Sequence, residues 1–119
     1  MPIMTDSDKR IYKRRNLQVP ARFTIHGYSD YGYITNLSEG GCLLYCSLPD
    51  PLALYTPIGI TLTFKNSPEE IKVKGIVVRG FPFSVRSNYE NSYDDINYEL
   101  AIEFIELNDN QKDFISRHL

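Results

Sequence analysis

Long apolar runs are missing from this 119-residue chain. No stretch approaches the roughly 18 uninterrupted apolar residues of a membrane-spanning helix, so no membrane insertion is expected. Residues 1–15 hold no apolar core followed by small residues, so a secretion signal is not expected and a cytoplasmic location is. Cysteine and histidine are scarce too, at two each. Cys42 and Cys46 fall in one apolar run. On a strand they would share a face with Leu44 between them, roughly 13 Å apart at the usual rise per residue. That is too far for a disulfide, and both read as reduced packing residues. His26 and His118 stand alone, without the spacing of a zinc site, so neither metal nor cofactor is expected. Ser38 has no nucleophile-elbow context, and the histidines form no general-base pattern. Carboxylates such as Asp94 and Asp95 read as part of a solvated loop. The expectation is a domain that is not an enzyme.

Acid is missing from one place in particular. Between Lys9 and Arg22 stand six basic residues (Lys9, Arg10, Lys13, Arg14, Arg15 and Arg22) and no Asp or Glu. That leaves seven of the 13 basic residues to face all 15 acidic ones elsewhere. An acidic body with a concentrated basic arm points to one local anionic partner. A groove that tracks a nucleic-acid backbone would need positive charge along its length, so nucleic acid is not the expected partner.

A hydrophobic content of 42% over this length is enough for one core. Residues 1–18 read as a flexible N-terminal segment carrying the basic arm, and residues 19–119 as a single domain. Val19, Ala21, Phe23 and Ile25 alternate with polar or surface-tolerant residues, the period of a strand, with Pro20 near its start where a missing N–H is tolerated. Residues 26–30 read as a turn. Further strands are expected over 32–36, 42–46, 59–64, 71–78 and 98–105. Prolines break the chain at 48–52, and residues 81–97 read as a long polar connection. The period then changes. Asn108 followed by Gln111 is a capping-box arrangement, with Phe114, Ile115 and either His118 or Leu119 along one side, predicting a helix over about 108–118. Six strands and one helix predict a mainly β fold, a small six-stranded antiparallel barrel, because closure removes exposed strand edges.

Asn36-Leu-Ser38-Glu-Gly-Gly41 fits the pattern (Asp or Asn)-x-Ser-x-x-Gly between two strands, about twenty residues after the arginine cluster. This order of basic arm, strand, loop, β-rich body and terminal helix resembles the PilZ domain family, from about Lys9 to Leu119. The resemblance implies a split-barrel fold and a receptor for the bacterial second messenger cyclic di-GMP, with a protein effector as further partner. In the family the first motif is Arg-x-x-x-Arg, on an arm that folds over the ligand. Carried over, it implies ligand contacts from Arg14, Arg15, Asn36, Ser38 and Gly41. Anchoring on Val19-Pro20 places Gln18 at the final arginine position, while an upstream register, Arg10-Ile-Tyr-Lys-Arg14, restores the formal motif. Ala101 stands where the family often has glycine. The resemblance leaves a second reading open: a PilZ domain that has lost the ligand and serves as a protein-interaction module.

Overall fold

The structure is a computed structural model that describes residues 19–65, 67–83 and 96–119. Six strands form a closed antiparallel barrel: β1 (Val19–Ile25), β2 (Tyr28–Thr35), β3 (Gly41–Leu48), β4 (Pro57–Thr63), β5 (Glu70–Phe83) and β6 (Ile96–Ile105), followed by one helix, α1 (Asp109–Arg117). Around the barrel the order is β1-β2-β3-β6-β5-β4, so β3 lies diametrically opposite β4. Closure gives every strand two neighbours and leaves no edge to aggregate.

The alternation expected from the sequence is what fills the barrel. Val19, Ala21, Phe23 and Ile25 on β1, Cys42, Leu44, Cys46 and Leu48 on β3, and Tyr98, Leu100, Ile102 and Phe104 on β6 are all buried. Both cysteines are free thiols on the inward face of β3. Burial pushes the Cys46 thiol up to about 12 and the Cys42 thiol higher still. Helix α1 adds Phe114 and Ile115 to the same core. Its capping box is formed: the Asn108 side chain accepts from the Gln111 backbone N–H at 2.8 Å, and Gln111 Oε1 accepts from the Asn108 N–H at 2.7 Å. Gln111 Nε2 also donates to the Lys72 carbonyl at 2.7 Å, which ties the helix start to β5. At the other end His118 stacks on Phe64, with ring centroids 4.1 Å apart.

Several boundaries differ from the sequence pattern. The turn expected over 26–30 is only two residues, because His26 (φ 50°) and Gly27 (φ 78°) both adopt the left-handed conformation that suits a tight hairpin. Strand β2 therefore begins at Tyr28 and ends at Thr35, leaving Asn36 outside it. Strand β5 runs to Phe83 and β6 starts at Ile96, so the connection expected over 81–97 shortens to 84–95, outside the described residues. The polar Asn97 and the ring of Pro82 are carried into the ladder by long-range pairing, Pro82 with Tyr98 and Phe83 with Asn97. A register shift between Val77 and Arg79 interrupts the alternation of β5 at Val78, which has no partner in the β5–β6 register.

Candidate ligand-binding site

The loop between β2 and β3 carries Asn36 and Ser38 and runs into Gly41, the first residue of β3, and the fold brings all three together. Leu37, only 1% exposed, pins the loop to the core. Asn36 sits at φ 51°, a left-handed conformation that asparagine tolerates better than most residues. It is half-buried, and among the described residues its carboxamide makes no hydrogen bond.

Ser38 is occupied differently. It is 4% exposed, and its hydroxyl accepts from the N–H groups of Gly40 (3.1 Å) and Gly41 (3.3 Å) and donates to the Gly41 carbonyl at 3.3 Å. Its backbone N–H donates to the same carbonyl at 2.9 Å. The hydroxyl thus holds the loop's own shape, the local side-chain-to-backbone bonding that serine favours in turns. Gly41 pairs with Glu103 on β6, and a β-carbon there would collide with the Ile102 carbonyl oxygen. Its backbone is not left-handed, so the glycine is required by the approach of β6. Two further contacts fix the loop: Phe104 N–H donates to the Gly40 carbonyl at 2.9 Å, and the Ser116 hydroxyl donates to the Glu39 carboxylate. The loop is therefore rigid, and Asn36 is the motif member whose side chain it leaves available.

Val19 pairs with Ile34, so the chain enters the barrel alongside the end of β2, two residues before Asn36. The four arm residues singled out in the sequence, Arg10, Arg14, Arg15 and Gln18, lie outside the described residues. On the outer face beside the loop, Thr35, Leu43, Ala101 and Arg79 follow one another across β2, β3, β6 and β5. Tyr45, in the adjoining row, hydrogen-bonds the Glu99 carboxylate opposite it; that bond, partial burial and the nearby negative charge raise its pKa, while a bond with Thr35 lowers it. The sequence pattern missed Arg79 as an outward-facing cation on this face, because the register shift just before it breaks the alternation that would have given its side. Among the described residues no cluster of His, Cys, Asp or Glu could hold a metal, and no helix is long and apolar enough to cross a membrane.

The PilZ domain family model matches residues 8–119. No curated protein sequence matches the chain. Among solved structures the chain is similar to the Bacillus subtilis inhibitor of motility MotI/DgrA, with a TM-score of 0.69 and 14% identity over 92% of this chain and 48% of that one. It is also similar to the PilZ domain of Escherichia coli YcgR with c-di-GMP, with a TM-score of 0.67 and 12% identity over 92% of this chain and 88% of that one. A third similar structure is the K. pneumonia MrkH–c-di-GMP complex, with a TM-score of 0.66 and 18% identity over 92% of this chain and 50% of that one. The chain spans about half the length of MotI/DgrA and of MrkH.

Proposed function

The chain belongs to the PilZ domain family, and we propose that it is a non-catalytic receptor domain for cyclic di-GMP, acting in the cytoplasm through a protein effector. The observation that supports this reading is the pairing of Val19 with Ile34, which sets the first described residue of the barrel, the one that follows Gln18 in the sequence, beside the end of β2 that leads into the preformed loop at Asn36. The two parts supply complementary chemistry. Arg14 and Arg15 offer planar forks that match a phosphate or the O6 and N7 of guanine, and Arg10 extends the same supply upstream. Gln18 directly precedes Val19 and offers a neutral amide. Asn36 presents a donor and an acceptor to a base edge. Ser38 and Gly41 act through the loop they shape. Two of the similar structures, of YcgR and MrkH, are of proteins with c-di-GMP, which supports the ligand class.

Backbone amide shifts in an NMR titration with cyclic di-GMP test the reading. Saturable shifts at residues 36–41 and across 9–18 are expected. Shifts in neither segment would leave the interaction-module reading, which the neutral Gln18 and the internal engagement of the Ser38 hydroxyl favour.

A further inference from the structure

Away from the loop, two adjoining rows of outward-facing residues cross β2, β1, β4 and β5. One runs Tyr31, Arg22, Thr61, Lys72, and the next Ser29, Thr24, Gly59, Lys74. They frame an open groove of about 510 Å³ that reaches Glu106, Asn108 and Gln111 at the start of α1. A neighbouring hollow of about 330 Å³ shares Arg22, Thr61 and Lys72 with it and adds Tyr31 and the carboxylate of Glu70. The depth has a clear cause. Gly59 has no side chain, and a β-carbon built on it meets nothing within 4 Å.

Charge is concentrated around this hollow, although the whole chain has 13 basic against 15 acidic residues. Arg22 and Lys72 flank Thr61 two strand spacings apart, about 10 Å, and Lys74 stands two residues along from Lys72, about 7 Å. Lys74 has an exposed partner in Glu106 at 3.8 Å, whereas among the described residues Arg22 and Lys72 have no ion-pair partner. Like charges gathered on one sheet face cost stability. An anion in the hollow would reverse the sign of that cost.

We propose that this groove is a binding site for a small oligophosphate, a diphosphate or triphosphate group, separate from the loop at residues 36–41. The arginine fork, two ammonium groups and the Thr61 hydroxyl between them are donors suited to phosphate oxygens. The volume falls in the range of small-ligand sites. Because the barrel is closed, the face offers no free strand edge to an extended acidic peptide, which would otherwise be the natural competitor. The groove centres on β4, and the loop joins β2 to β3, the strand opposite β4, so both sites can be filled at once.

The test is an NMR titration of the whole chain with sodium tripolyphosphate at constant ionic strength. Saturable amide shifts are expected at Arg22, Thr24, Gly59, Thr61, Lys72 and Lys74, with Kd raised at least tenfold in the Arg22→Gln/Lys72→Gln variant. A second variant tests shape rather than charge. Gly59→Val keeps all three cations, and its β-carbon meets nothing within 4 Å, so it should fold normally and lose binding by projecting its methyl groups into the hollow. Asn36→Gly should bind tripolyphosphate like wild type, which separates failure here from failure of the cyclic di-GMP reading. Shifts confined to residues 9–15, shifts that never saturate, or unchanged binding in both groove variants would overturn the proposal. Tighter binding of a polyglutamate peptide than of tripolyphosphate at the same residues would overturn it as well.

Discussion

Gly41 lies so close to Ile102 that a β-carbon at position 41 would overlap the Ile102 carbonyl oxygen. The motif glycine is thus a packing requirement between β3 and β6. Gly41→Ala should destabilise the barrel by about 1–3 kcal/mol, the usual cost of overpacking a close contact. Gly59→Ala, where the added carbon meets nothing, should stay within about 0.5 kcal/mol of wild type. Urea denaturation of the two variants checks the contrast.

Asn36 and Ser38 share one loop but should respond differently to substitution. Ser38→Ala removes a hydroxyl that serves two N–H groups and a carbonyl in a nearly buried position, so it should cost about 1–3 kcal/mol of stability. Asn36→Gly removes the carboxamide while keeping the left-handed backbone that Asn36 already adopts. It should leave the melting temperature nearly unchanged and weaken cyclic di-GMP about tenfold or more. Thermal melts and titrations on the same preparations separate the two roles. An Asn36→Gly protein with wild-type affinity would remove Asn36 from the site.

The buried thiols give the barrel an alkaline limit. Both pKa values are raised by burial above the ordinary 9.0, so the folded state keeps protons that the unfolded state releases. Their contribution is fully present below pH 9 and is lost as pH rises towards and past 12. Between pH 8 and pH 10 stability should fall by about 1.4 kcal/mol per thiol. Tyr45, also raised, adds a loss of the same sign at higher pH. Urea denaturation at pH 8 and pH 10 checks this: a Cys42→Ala/Cys46→Ala variant should show a smaller drop than wild type, and an equal drop would contradict the assignment.

The arm gives two registers to distinguish. Truncating Arg14 or Arg15 to alanine should weaken cyclic di-GMP by about 1–3 kcal/mol each, the scale of an arginine reading guanine. If Arg10→Ala matters as much as Arg14→Ala while Arg15→Ala does not, the upstream register is the one in use. Gln18→Arg adds a charge-assisted contact and should tighten cyclic di-GMP by about 1–2 kcal/mol without doing the same for unrelated nucleotides. Parallel titrations at one ionic strength check all four variants.

The period-two patterns of Val19 to Ile25 and Ile60 to Phe64 and the Asn108–Gln111 cap were enough to read a barrel with a terminal helix from the sequence, because each reports a local rule. Strand ends were less legible. Asn97 and Pro82 look like loop residues by composition, and only their partners across the β5–β6 ladder make them strand. The motif loop could be located but its roles could not. Nothing in Asn-x-Ser-x-x-Gly says that the serine bonds inward, or that the glycine yields to a strand about sixty residues away. The groove around Gly59 was invisible for the same reason, since Arg22, Lys72 and Lys74 become neighbours only through two ladders.

Isothermal titration of cyclic di-GMP into the wild-type chain, with Arg14→Ala and Asn36→Gly titrated beside it, tests the central claim most directly. A receptor built from the arm and the Asn36 loop gives saturable heat in the wild type and affinity at least tenfold weaker in each variant. No saturable heat in the wild type, or equal binding by all three proteins, would contradict it.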